Sequence, residues 1–294
     1  MTFPIPDDSG FVPVPGGRIW YRMNHGKNQK AALIVIHGGP GFSHHYLLPL
    51  LDMCQDRTVI LYDQLDAGAS DRPCNPQNWH IDRFVAEIAC LRQHLSLDKV
   101  CLFGNSWGGT IASAYAATRP EGLESMILSS PLIHTNQWIA DNLVHRKSLP
   151  KKIVAALDYG ECHEETTSSN YLDAVSFFNH RHFCRLTCWP SYVKKSIKLL
   201  NDTCYETMWG PNEFTCTGTL ADYDGRNLLP KINCPVLFTA GEFDEATPTA
   251  CETFAAHIEN ATLEIIPGSS HLAFVEQRNL YMSTIKIFLY KNSI

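Results

Sequence analysis

The stretch Gly104-Asn105-Ser106-Trp107-Gly108 follows an apolar run and opens a stretch rich in small residues. It fits G-x-S-x-G, a pattern that holds a serine on a sharp turn between a strand and a helix. Glycines at the flanking positions let the turn tighten without Cβ clashes. The helix that follows sets the positive end of its dipole beneath the hydroxyl. A serine of this kind needs a base, and the base needs an orienting group. The chain has 13 histidines, most of which must be ordinary surface or core residues. His271 stands apart because it follows the last apolar run, within Pro267-Gly268-Ser269-Ser270. Asp244 holds the equivalent place after the preceding run, in Gly241-Glu242-Phe243-Asp244. The chemistry these three suggest is acyl transfer, which also needs donors for an oxyanion. His37-Gly38-Gly39-Pro40-Gly41 is a second glycine-rich bend, and its Gly39 N–H is expected to pair with the N–H of Trp107. Taken alone, that bend would be only a tight turn.

The elements that must position these residues are legible as short apolar runs. They are ALIVI from Ala32, TVILYDQ from Thr58, KVCLFGN from Lys99, SMILSS from Ser125 and CPVLFTAG from Cys234, with a weaker one, ATLEII, from Ala261. Continuous runs of this length suit strands buried on both faces of a parallel sheet. Upstream, alternating residues around Pro15-Gly16-Gly17 predict a hairpin. Between the runs lie helical patterns. Phe84, Ile88, Leu91 and Leu95 share one face, with Asp82 placed to cap the start. A small-residue helix after Trp107 closes at Pro120, and an amphipathic helix ends the chain. The alternation of strand and helix means an α/β fold: a mostly parallel central sheet, helices on both faces and an inserted helical cap. It stops near Leu132 and resumes near Leu228, so residues 1–133 and 228–294 are expected to form the core, with 134–227 as the cap. The cap would lie over the sheet's C-terminal edge, where open α/β sheets bind ligands.

Composition narrows the function. With 24 Lys and Arg against 30 Asp and Glu, the net charge is −6, which argues against a nucleic-acid partner. The N-terminus lacks the apolar segment of a secretory signal, and no apolar run is long enough to span a bilayer. A cytoplasmic location follows as the expectation, and with it 11 free, mostly buried cysteines. His180, His182, Cys184 and Cys188 cluster in sequence, but their spacing fits no common zinc pattern. They read as a cysteine-bearing helix face in the cap. No metal or organic cofactor is required.

HGGPG, DQLDAGAS, GNSWGG, WGPNEF and GEFDEATP together resemble the proline iminopeptidase family. That branch of the α/β hydrolases includes tricorn-interacting aminopeptidases and related amino-acid amide hydrolases. The similarity runs from the first core strand to His271, and the order Ser106, Asp244, His271 is the order of an α/β-hydrolase catalytic triad. The resemblance implies that acidic residues grip a free peptide amino terminus, at the matching positions Glu213 and Glu245. Charge-assisted hydrogen bonds to an ammonium would measure one residue from the N-terminus to the scissile carbonyl. By the same resemblance Tyr205 lines the amine or side-chain pocket. Trp107 and Trp209 could form an apolar slot for a proline-like ring. One position departs from the family pattern: Asp66 stands where D-Q-x-G-x-G-x-S has its first glycine, and this extra carboxylate is expected near the pocket, where it could alter substrate choice.

The expected function is a serine aminopeptidase (a protease of the prolyl aminopeptidase kind) that releases one N-terminal residue, proline or another apolar one. Its substrate would be a small peptide or amino-acid derivative with a free amino terminus. An amidase or esterase acting on small amino-acid amides or esters would need the same amine grip. A hydrolase-like scaffold that binds without turnover is disfavoured, because such proteins commonly lose a triad member and all three are present here.

Overall fold

The computed structural model describes residues 2–292. β1 (Asp8–Val14) and β2 (Gly17–Asn24) form the hairpin, turning through Pro15 and Gly16. Gly16 takes φ +92° there, a conformation open to glycine at little cost. β3 (Ala32–Ile36), β4 (Val59–Asp63) and β5 (Val100–Asn105) follow, then β6 (Leu123–Ser129), β7 (Val236–Gly241) and β8 (Ala261–Ile266). The eight strands form one sheet in the order β1-β2-β4-β3-β5-β6-β7-β8. The hairpin joins antiparallel through β2 and β4, and every pairing from β4 to β8 is parallel.

β3, β4, β5 and β7 are buried along their whole length. Their alternating side chains feed two separate apolar layers. Ile34, Ile36, Ile60 and Leu102 point into one layer, and Leu33, Val35, Leu61 and Phe103 into the other. The first layer is closed by α1 (Ile81–His94), α2 (Trp107–Ala117) and, after the cap, by a later helix, Pro248–Ala255. α1 buries Phe84, Ile88 and Leu91, while Leu95 lies just past its end and is half-buried. Asp82 does not cap α1. His80 holds the N-cap position and Asp82 sits inside the exposed first turn, too far along to reach the N–H groups a cap would bind. Its carboxylate still meets the favourable end of the helix dipole. α2 stops at Ala117, with Thr118 closing it before Pro120.

The cap helices lie between β6 and β7: α3 (Thr135–Lys147), α4 (Lys151–Cys162), α5 (Ser169–His182), α6 (Ser191–Lys198) and α7 (Asp202–Met208). They have a small apolar centre of their own around Leu157, Tyr171, Phe178 and Phe214. Downstream are α8 (Pro248–Ala255), the short α9 (Ala273–Glu276) and α10 (Arg278–Lys291). α10 closes the second layer with Tyr281, Ile285 and Phe288. Among the described residues no helix is long and apolar enough to cross a membrane. The cysteines are free, but they are less buried than expected. Cys101, Cys184, Cys204, Cys234 and Cys251 are buried, whereas Cys74, Cys162 and Cys188 are exposed, because these last lie on loops and cap surfaces rather than on strands.

α2 packs against the sheet at glycine distance. A Cβ on Gly108 would stand 2.3 Å from the carbonyl oxygen of Ile36, and backbone on both sides cannot yield cheaply. We expect Gly108→Ala to destabilise the protein by about 3 kcal/mol, read as a lowered urea midpoint with an unchanged slope.

Candidate active site

The strand–helix turn forms as the glycines demand. Ser106 sits between β5 and α2 with φ +55° and ψ −123°, a strained region for a residue with a side chain. The turn is held from both directions: Ser106 N donates to Ser129 O (3.1 Å), and Ser106 O accepts from Gly109 N (2.8 Å) and Leu132 N (3.1 Å). A Cβ on Gly104 would come within 2.4 Å of Gly108 O, so both outer glycines of the motif are needed by contact.

His271 Nδ1 and Asp244 Oδ1 are 2.9 Å apart, with both side chains buried. Asp244 also accepts from Gly241 N (2.9 Å), Ala246 N (2.9 Å) and Ser130 Oγ (2.6 Å), so its charge is well met by protein donors. The His271 ring is fixed between aromatics, with Trp138 edge-on at 5.6 Å and Phe183 stacked at 5.8 Å. Ser106 and His271 line one cavity with Gly38, Gly39, Asn105 and Glu213. Among the described residues no hydrogen bond joins Ser106 Oγ to His271; such contacts often tighten only when a substrate arrives.

Gly39 lies in the same cavity wall with φ +117°, and a Cβ there would meet Gly41 N and Phe42 N at 2.8 Å. The neighbouring Gly38 N–H is occupied, donating to Tyr46 Oη (2.7 Å), which in turn donates to Asn105 Oδ1 (2.7 Å). Trp107 is the first residue of α2, so its N–H belongs to the helix turn that lacks internal acceptors. Its indole is buried and donates to Gln64 Oε1 (2.9 Å). Gln64 also donates from Nε2 to His37 O (2.7 Å), tying the elbow to the HGGPG bend. Burial pushes the His37 imidazole down to about 4, which keeps it neutral as an acceptor for Gln64 N (3.0 Å).

Trp107 and Trp209 do not form an aromatic slot. Both are packed into the core layer, Trp209 donating from Nε1 to Asn212 O (2.9 Å). The aromatic wall beside Ser106 comes instead from Phe42, Tyr46 and Phe183. Phe42 and Tyr46 follow the HGGPG bend by a few residues, a proximity that could have flagged them, whereas Phe183 reaches the site through the fold of the cap and left no sequence signal.

The acidic residues divide between two cavities. Glu213 is half-buried in the wall of the Ser106 cavity and accepts from Tyr205 Oη (2.8 Å). Tyr205 is itself buried behind Glu213, so it orients that carboxylate rather than lining the cavity. Glu245 is fully buried in a second small space with Pro131, Ile133, Trp138 and Phe254. Trp138 lines this space and reaches residues of the first, packing on His271 and donating from Nε1 to Glu213 O (2.9 Å). Both carboxyl oxygens of Glu245 are buried without a partner. Burial, and then the charges of Glu213 and Asp244, push its carboxyl well above the usual range. Glu213 is raised too, by burial, against the opposing pull of His271 and the Tyr205 hydrogen bond.

Asp66 does take the left-handed backbone of the glycine it stands for, with φ +66°. Its carboxylate turns away from the Ser106 cavity, accepting from Cys74 N (2.7 Å) and Trp79 Nε1 (2.8 Å). The extra acid is thus a loop brace. The cap cluster separates as well. His180 stacks on Trp189, and His182 turns its Nδ1 to Phe243 O (2.9 Å). Among the described residues no group of His, Cys, Asp and Glu could hold a metal ion.

The parallel sheet, the serine elbow and the histidine–aspartate pair define an α/β hydrolase. The family model for the alpha/beta hydrolase fold matches residues 31–277. A proline iminopeptidase of Heyndrickxia coagulans is 38% identical over 286 residues, 97% of this chain and 99% of that protein. Crystal structures of VinJ (31% identity, TM-score 0.95, covering 98% of this chain and all 100% of that one) and of the Mycobacterium smegmatis proline iminopeptidase (32%, TM-score 0.92, 97% and 98%) share the whole fold. The chain belongs to the proline iminopeptidase family.

Because Glu245 binds a proton more tightly folded than unfolded, this contribution to stability is present at low pH and fades as pH rises toward its folded value. At neutral pH and above, Glu245→Met, which keeps the shape and removes the acid, is expected to stabilise the free protein by about 1 kcal/mol or more. A thermal melt should show a gain of roughly 2–4 °C, growing as pH is raised.

Proposed function

We propose that this protein is a serine aminopeptidase that releases a single N-terminal residue, proline or another apolar one, from small peptides. Ser106 is the nucleophile. His271 takes its proton and returns it to the leaving amine, while Asp244 orients the imidazole and stabilises its charged form. The N–H groups of Gly39 and Trp107 receive the oxyanion; the occupied Gly38 N–H and the unsatisfied first turn of α2 support that choice. An acyl-enzyme forms with loss of the shortened peptide, and water then hydrolyses it. The reaction needs no metal or cofactor. Residues 134–227 act as the cap, and the protein works in the cytoplasm without a nucleic-acid partner.

The observation that carries the substrate reading is the unpartnered, buried carboxyl of Glu245 beside that of Glu213. A buried acid raised further by a second acid beside it is a poor resting arrangement and a good receptor for a cation. The ammonium of a peptide N-terminus supplies that cation, and its arrival displaces the protons that burial holds on the acids. Tyr205 keeps Glu213 aimed.

Ser106→Ala should lower kcat by about 10⁶-fold, measured on a prolyl anilide, with folding unchanged by circular dichroism. The test of the substrate reading is a panel of aminoacyl anilides, each offered with a free and an acetylated amine. Free-amine substrates should be preferred by about 100-fold or more in kcat/KM, a few kcal/mol for a charge-assisted contact. Equal rates for the two forms would remove Glu213 and Glu245 from substrate binding.

A further inference from the structure

Three consecutive carbonyls of the loop that carries Asp244 are each held by a side chain of the cap. His182 Nδ1 donates to Phe243 O (2.9 Å), His145 Nε2 to Asp244 O (3.0 Å) and Asn142 Nδ2 to Glu245 O (3.2 Å). Asn142 and His145 are three residues apart on α3, hence on one helix face, and His182 is the last residue of α5. The two imidazoles stack with centroids 4.0 Å apart and planes 18° from parallel. The same end of α5 reaches the other triad loop, where His271 N donates to His182 O (3.1 Å) and Leu272 N to Phe183 O (3.0 Å). The N–H groups of the Asp244 loop turn instead to the core, Phe243 N to Ser269 O (2.9 Å) and Asp244 N to Gly241 O (3.3 Å). The loop is therefore suspended, its donors satisfied by the core and its acceptors by the cap.

We propose that His145 and His182 are positioning residues: through the Phe243 and Asp244 carbonyls they set the angle at which Asp244 meets His271, so the cap is part of the triad's scaffold. Packing alone does not explain the imidazoles. His182 Nε2 is buried without a partner, a penalty that a leucine or phenylalanine in its place would avoid. What the ring adds is an N–H at Nδ1. Burial, then the neighbouring His145, push the His182 imidazole down to about 4, so it donates as the neutral Nδ1–H tautomer.

The inference rests on the triad reading above, and the test separates the two. Asparagine reproduces an Nδ donor and glutamine an Nε donor, so His182→Asn and His145→Gln keep the contact, whereas His182→Leu and His145→Leu remove it. Wild type and the four variants are assayed on a free-amine prolyl anilide, with kcat and KM resolved, and in parallel for the rate of Ser106 labelling by a fluorophosphonate. The leucine variants should lose about 10- to 100-fold in kcat and in labelling rate, the scale of a small misplacement of reacting groups. Their KM should stay within about threefold of wild type, and the amide variants should stay within about threefold in every parameter. Leucine variants as fast as wild type, or amide variants as slow as leucine ones, overturn the proposal. If His182→Leu fails to fold, the half-buried His145 pair decides by the same comparison. A wild type that labels but leaves the anilide intact overturns the aminopeptidase reading and leaves the labelling comparison to decide this one; a wild type that does not label overturns both.

Discussion

The arrangement turns on a buried acid that favours its protonated form, because nothing in the free protein answers its charge. Glu245 is buried with both oxygens unpaired, and Glu213 stands close enough to raise it further. Such a group is tolerated only when the surrounding structure over-determines it. Here the surroundings are specific: Tyr205 fixes Glu213, Trp138 holds the Glu213 carbonyl, and Asn142 holds that of Glu245. A cation between the acids would relieve them. Under the proposed function binding and catalysis are joined, since Glu245 is the residue after Asp244.

That junction explains why the cap does more than cover. The carboxylate that faces Ser106 lies on the cap, and its companion lies on the core loop that cap side chains suspend. Neither part assembles the site alone. The core supplies what must be rigid, a serine in a strained turn pressed against backbone at Gly104 and Gly108. The inserted helical segment adds Glu213 and the Phe183 ring shared between cavity and His271.

Legibility in the sequence followed how local each cause was. The buried strands, the elbow and the hairpin could be read because each rests on a few adjacent residues: branched aliphatic runs, or glycines where a Cβ would strike backbone. The pairing of His271 with Asp244 could be anticipated from their places after successive strands, and the two do meet at 2.9 Å. Other features were set by distant contacts. Asp82 missed its capping position because the helix begins two residues earlier than a cap at Asp82 requires. Asp66 turned to Cys74 and Trp79 because the loop folds back on itself. Trp107 and Trp209, apolar and near the motif, were claimed by the core layer. The roles of Asn142, His145 and His182 depend on how α3 and α5 lie over the core, and no spacing along the chain encodes that.

β8 forms one of the two edges of the sheet, bonded on one side only and with most of its side chains partly or fully exposed, and it delivers the loop carrying His271. Ser106, by contrast, hangs from β5 in the middle of the sheet. Fraying begins where a fold is least protected, so the proposed general base follows an edge strand and the proposed nucleophile a central one. Hydrogen exchange should be faster at that edge than at β5, and thermal inactivation should run ahead of global melting: the molecule would fall silent while most of its backbone remained folded.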